Sequence, residues 1–71
     1  EGQGGKRAHL PFVDFAGLDL AGRRLSGADL TGSVFDGAVL AGARLDRAVL
    51  AGCDLRGADL RGADLRGADL R

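Results

Sequence analysis

A large apolar residue stands at every fifth position, thirteen times in succession: Leu10, Phe15, Leu20, Leu25, Leu30, Phe35, Leu40, Leu45, Leu50, Leu55, Leu60, Leu65 and Leu70. Two residues before it the chain is usually small, as at Ala28, Ser33, Ala38, Ala43, Ala48, Cys53, Ala58, Ala63 and Ala68. Two residues after it stands glycine, from Gly17 to Gly67, with Arg47 the single exception. The last part reads Arg-Gly-Ala-Asp-Leu three times over. Such periodicity is the signature of a repeat architecture, and it constrains the fold more than any other feature of the chain.

A period of five excludes the common regular structures. On an α-helix five residues advance about 500°, so successive leucines would stand about 140° apart and form no stripe. A glycine at every fifth position would also cost a helix about 1 kcal/mol each. On a straight strand five is odd, and successive leucines would point to opposite faces. Collagen requires glycine at every third residue, which this chain lacks. The remaining solution turns the chain at each repeat: a short extended piece, a glycine-assisted corner, and return to the same interior, which is a solenoid.

The spacing of individual residues favours four sides. Phe15 and Phe35, the only aromatic residues in the large position, are 20 apart, with Leu55 next in line. Rings placed one above the other can stack. The charges agree, since Asp36 would lie beneath Arg56 and Asp46 beneath Arg66 on outer columns.

The pattern resembles the pentapeptide repeat family, whose consensus is Ala-(Asp/Asn)-Leu-X-X. It is matched verbatim at Ala28-Asp29-Leu30, Ala58-Asp59-Leu60, Ala63-Asp64-Leu65 and Ala68-Asp69-Leu70, and nearly so at Cys53-Asp54-Leu55. The resemblance runs from about Ala8 to Arg71. It implies an all-β fold, a right-handed quadrilateral β-helix of about three coils, with the Leu or Phe and the preceding small residue facing inward. Residues 1–7 (Glu-Gly-Gln-Gly-Gly-Lys-Arg) read as a flexible N-terminal arm or linker, and 8–71 as the solenoid.

Composition narrows the function. Ten Lys and Arg balance ten Asp and Glu, which argues against a nucleic-acid binder or a basic membrane-surface peptide. No run approaches the roughly 18 apolar residues of a membrane span, and no signal sequence opens the chain, so a cytoplasmic, soluble protein is expected. One cysteine allows no internal disulfide, and one histidine no conventional zinc site.

Residue by residue, the chemistry is sparse. His9 precedes Leu10 at an outward position and reads as an exposed residue of a frayed first repeat rather than a pH-sensitive or metal-binding one. Cys53 occupies an inward small position, where a thiol is inert packing rather than a nucleophile. Asp54, Asp59, Asp64 and Asp69 fall on four different sides, so they cannot stack into a calcium ladder, and Arg56, Arg61, Arg66 and Arg71 are interleaved with them. They read as a solvated ring of charges worth little individually. The expectation is no enzyme, no catalytic residue, no metal, no cofactor and no small-molecule substrate.

Two departures from the repeat stand out. Arg23 occupies an inward small position, where a buried guanidinium is costly, so an irregular first coil that releases it to solvent is expected over pairing with an interior acid. Val34, Val39 and Val49 replace the usual outward Asp or Asn and ring the middle coil. They are candidates for protein contact, or simply valines suited to extended backbone. Leu70 and Arg71 join them, because the most regular repeats of the chain end there with no helix, proline or charged cap following. A fragment of a longer protein, the ordered part of one, and a unit whose bare end docks onto something all remain open.

The leading expectation is a non-catalytic structural or protein-interaction scaffold that contacts a protein partner or self-associates through the open C-terminal coil. Two others come from the family resemblance and from the arm: a DNA-mimicking, gyrase-binding protein of the fluoroquinolone-resistance type, and a solenoid appendage of a larger effector or adaptor. Mimicry requires a strongly acidic rod, whereas residues 16–71 hold eight Asp and eight Arg.

Overall fold

The computed structural model describes residues 7–71, so the expected arm lies outside the described residues except for Arg7. Positions are counted from the large apolar residue, 0; the small residue is then −2, the outward residue −1 and the glycine +2.

Each repeat is one short extended piece and one corner. At the corner the carbonyl of position 0 accepts the N–H of the residue three further on, as from Ala28 to Leu25 at 3.0 Å and from Ala38 to Phe35 at 2.9 Å. Only the third of the four residues takes a positive φ, between +69° and +72° where it is glycine, which defines a type II turn. At Gly37 a side chain would meet nothing within 4 Å, so the glycine there answers to the backbone angle alone. Phe12 and Arg47 hold the same conformation without being glycine, at φ +60° and +61°.

The corners bring the chain back over itself. Parallel pairs join residues 20 apart throughout and fall into four columns: His9–Asp29–Val49–Asp69, Asp14–Val34–Asp54, Asp19–Val39–Asp59 and Arg24–Arg44–Asp64. One winding therefore takes 20 residues and has four sides. Windings are joined by a fixed set of bonds. Leu30 N–H donates to Val49 O, Gly32 N–H to Ala51 O and Val49 N–H to Ala28 O, each at 2.8 Å, and the pattern repeats around the stack.

The interior is driest where a winding has neighbours on both sides. Ala28, Leu30, Ser33, Phe35, Ala38, Leu40, Ala43, Leu45 and Ala48 have no exposed surface. Leu10, Phe15, Leu20 and Leu25 on one side, and Leu55, Leu60 and Leu65 on the other, are only partly buried. Phe15 and Phe35 stack as their spacing predicts, with centroids 4.9 Å apart and rings within 10° of parallel. An offset or parallel aromatic pair adds about 0.5–1.5 kcal/mol beyond its buried area.

The first winding corrects one expectation. Arg23 is exposed, as predicted, but the backbone around it is regular: Arg23 N–H closes its turn on Leu20 O at 3.1 Å, and Arg23 O accepts Arg44 N–H at 2.8 Å. The side chain is exposed on the first described winding, with no described winding before it to confine it. Leu18, also at −2, is 49% exposed for the same reason.

Ser33 has a role that its position does not announce. Its Oγ donates to Leu10 O at 2.9 Å and accepts Val13 N–H at 3.0 Å, standing between the two groups that close the other turns directly. The hydroxyl takes the place that a bridging water could fill. Ser33→Ala is expected to cost about 1–3 kcal/mol, the penalty for buried polar groups left unpaired, and to speed exchange of the Val13 amide hydrogen. Chemical denaturation and hydrogen exchange would read the two effects.

Glycines in the same turn position are not equivalent. A Cβ at Gly32 would lie 2.5 Å from Phe12 Cε1, whereas one at Gly37 meets open space. Gly37→Ala is expected to cost about 1–2 kcal/mol from the backbone angle alone. Gly32→Ala should cost more, and denaturant titrations should show the excess disappear in a Phe12→Ala background.

Candidate functional site

The outward side chains are set by the −1 and +1 positions, which flank the buried residue and so share one face of the extended piece. In the last repeats these are Asp and Arg, and the structure joins them. Arg56 Nε donates to Asp54 Oδ1 at 2.9 Å and its Nη2 to Oδ2 at 2.8 Å, while Arg56 N–H adds a third bond to Oδ1 at 3.1 Å. Arg61 clamps Asp59, Arg66 clamps Asp64 and Arg71 clamps Asp69 with the same forked contact. The forks hold the four carboxyls at about 2, below the ordinary 3.8, with the backbone N–H bond adding to the effect.

Asp36 and Arg56, and Asp46 and Arg66, do stand in the expected 20-residue register, but the ion pairs form within each repeat. Arg56 bonds Asp54 of its own repeat, and Asp36 of the winding before acts on it only through space. Arg66 likewise bonds Asp64, with Asp46 a minor influence. The −1/+1 spacing was available in the sequence as a same-face pair, and it outweighs the 20-residue stacking because both partners sit on one rigid piece.

The candidate contact residues are dispersed. Val34, Val39 and Val49 are half-buried and lie in three different columns, each between two aspartates: Asp14 and Asp54, Asp19 and Asp59, Asp29 and Asp69. A valine there keeps like charges from standing directly opposite one another at strand spacing, which is destabilising. Leu70 is 56% exposed on the C-terminal rim, and Arg71 beside it is held to Asp69 at 2.8 Å.

His9 is exposed, with Nδ1 3.3 Å from Asp29 Oδ2. Asp29 is bonded more closely by Thr31, whose Oγ1 donates at 2.6 Å, and this hydrogen bond first, then the Thr31 N–H, holds its carboxyl below the usual range. Cys53 faces Leu30 O with Sγ at 2.9 Å, and burial pushes its thiol up, away from the thiolate a nucleophile needs. Among the described residues no group of three or more His, Cys, Asp or Glu is placed to hold a metal ion.

A concave site lies on the fourth side of the stack. Arg24, Ser26, Arg44, Asp46 and Arg47 line a cleft of about 290 Å³. Ser26 Oγ donates to Asp46 Oδ1 at 2.5 Å, a bond that holds the Asp46 carboxyl below its usual value, and Arg47 Nη2 lies 3.6 Å from Asp46 Oδ2. The sequence reading missed this site, although the test that paired Phe15 with Phe35 also places Arg24 beside Arg44 and Ser26 beside Asp46.

The turn geometry, the winding of 20 residues and the repeated small–polar–leucine register agree with what the comparisons find. The pentapeptide repeats family model matches residues 14–50 and 33–71, and the chain belongs to that family. Its fold is the β-helix solenoid of that family. Among solved structures, it is similar to a pentapeptide repeat protein from the Arabidopsis thaliana thylakoid lumen, at 42% identity over 96% of this chain and 48% of that one, with a TM-score of 0.83. It is also similar to Rfr23 from the cyanobacterium Cyanothece 51142, at 28% identity, 90% and 48% coverage and a TM-score of 0.70. HetL, involved in heterocyst differentiation regulation in the cyanobacterium Nostoc sp. strain PCC 7120, matches at 29% identity, 92% and 39% coverage and a TM-score of 0.70. The chain thus spans about half the length of these solved proteins, or less. No curated protein sequence matches it. Among the described residues no helix is long and apolar enough to cross a membrane.

The clamps make a pH prediction. A carboxyl whose folded value is depressed adds stability that is complete above its unfolded value of about 4 and is lost as pH falls through about 2. Thermal unfolding should therefore hold its midpoint between about pH 7 and 5 and fall between about pH 4 and 2. Replacing Arg56, Arg61, Arg66 and Arg71 together by Gln should reduce that fall without abolishing it, because the backbone N–H bonds to the aspartates remain.

Proposed function

We infer that the chain is a non-catalytic protein-interaction scaffold: a right-handed quadrilateral β-helix of about three coils that contacts a protein partner, or a second copy of itself, through its C-terminal rim. The observation that carries this reading is the chemistry of that rim. The N–H groups of Leu55, Gly57, Leu60, Gly62, Leu65, Gly67 and Leu70 have no partner among the described residues, although their equivalents in the preceding winding all donate to the next. Beside them the apolar interior opens at half-buried Leu55, Leu60 and Leu65 and at exposed Leu70. Whatever lies on this rim must bring backbone acceptors and an apolar surface. A further strand of any origin does both.

The N-terminal rim offers the complement. Carbonyls at −1 and +1, those of Asp14, Ala16, Asp19, Ala21, Arg24 and Ser26, have no partner among the described residues. One copy can therefore supply what the rim of another lacks. Arg71 would then border the contact, while Asp54, Asp59 and Asp69 separate Val34, Val39 and Val49 from it. That HetL is involved in regulating differentiation agrees with a role exerted through contact. The polyanion-mimic reading draws no support from the faces, where each aspartate of the last winding carries an arginine on its carboxylate.

Sedimentation velocity over a hundredfold concentration range tests the reading on this chain and on Leu70→Lys. Association of the parent chain that Leu70→Lys suppresses, with both folded by circular dichroism, is the expected result. A parent chain that stays monomeric throughout would overturn the self-associating form.

A further inference from the structure

Three of the four columns avoid stacking like charges, and the fourth does not. Val34, Val39 and Val49 each separate two aspartates, but Arg24 and Arg44 are paired directly in adjacent windings with nothing between them. Neighbouring strands stand about 4.8 Å apart, so the two side chains leave the stack side by side. Neither forms an ion pair among the described residues, whereas Arg56, Arg61, Arg66 and Arg71 are each forked onto a carboxylate.

The acid that could have quenched Arg44 is engaged elsewhere. Asp46 stands at +1 from the same repeat, where the clamp of the later repeats has its second partner, yet it is held by Ser26 Oγ and approached by Arg47. Asp64, next in the column, is forked by Arg66 and reaches Arg44 only through space. Arg47 breaks the glycine rule of the corners, keeps the positive φ that rule serves, and brings a third guanidinium to the same cleft. A second cleft shares Asp46 and Arg47 and extends to Arg66.

The separate departures from the repeat thus meet in one place: arginine at −1 twice in a row, arginine at +2, and a serine–aspartate pair at +1. With three arginines and one aspartate, the lining carries a net charge of two positive units. Guanidinium groups bind tetrahedral oxyanions through paired, planar N–H donors, and adjacent arginines recognise phosphate in this way. The cleft, at about 290 Å³, holds more than a bare phosphate and leaves room for the group that bears it.

We propose that Arg24, Arg44 and Arg47 form a binding site for a phosphomonoester dianion, with Arg24 and Arg44 forking its oxygens, while the Ser26–Asp46 bond and the Arg66–Asp64 fork keep the two nearby carboxylates from occupying them. The site lies on a side of the stack and is independent of association through the rims.

Titration of the whole chain with inorganic phosphate, O-phosphoserine, and a short peptide with and without one phosphoserine tests the site, by NMR of the arginine side chains and by calorimetry at constant ionic strength. Saturable shifts at Arg24 and Arg44 are expected, with binding about tenfold weaker near pH 5 than near pH 7.5, because the second phosphate proton is lost near pH 6. Arg44→Gln and Arg24→Gln should each weaken binding at least tenfold, while Arg56→Gln leaves it unchanged. Phosphate should also raise the unfolding midpoint of the parent chain above its value in chloride, and not that of Arg44→Gln. Equal binding of free phosphoserine and phosphopeptide would assign a small ligand; tighter binding of the phosphopeptide would assign a modified side chain. Shifts that do not saturate, or binding equally lost in Arg56→Gln, would overturn the proposal.

Discussion

Every corner of this solenoid depends on one residue held at positive φ. The type II turn there reverses the chain by a quarter winding in two residues, which leaves three for an extended piece with a buried side chain at −2 and another at 0. Four such corners close a winding in 20 residues, and only then do N–H and C=O groups of successive windings face each other. The interior is consequently narrow. It has room for one Leu or Phe and one Ala, Ser or Cys per side, which is why Phe15 above Phe35 is a stacked pair and not a clash.

The period of five was sufficient to reach this architecture because it excludes helix, flat strand and collagen on geometry alone, and the two phenylalanines marked the vertical register. What the sequence concealed was local. The repeat position of Arg23 does not encode burial, since in the first winding a regular backbone and an exposed side chain coexist. The Asp–Arg forks follow the −1/+1 spacing, which decides which charges meet, and the 20-residue register does not encode them. Ser33 passed for a small core residue, and its turn-bridging hydroxyl depends on the opening of the Leu10–Val13 corner, which residue spacing does not encode.

Charge in this protein is ordered in two directions. Along the chain, opposite charges are fixed on one extended piece; up the stack, valine separates aspartates on three columns. The fourth column, where two arginines adjoin beside a serine-held aspartate, is the surface on which the two rules are not both obeyed. Similar solved proteins at least twice as long share the fold, so faces of this kind can be extended by whole windings without altering the ones already formed.

Among the described residues the two rims are not alike: one presents mainly carbonyls, the other mainly N–H groups. This gives the stack a direction, and direction limits symmetry. Two copies joined N-terminal rim to C-terminal rim meet head to tail, an interface whose two halves are different surfaces and whose repetition does not close on itself. Any finite head-to-tail assembly through the rims therefore needs a terminator, a surface with the right backbone on one side and none on the other.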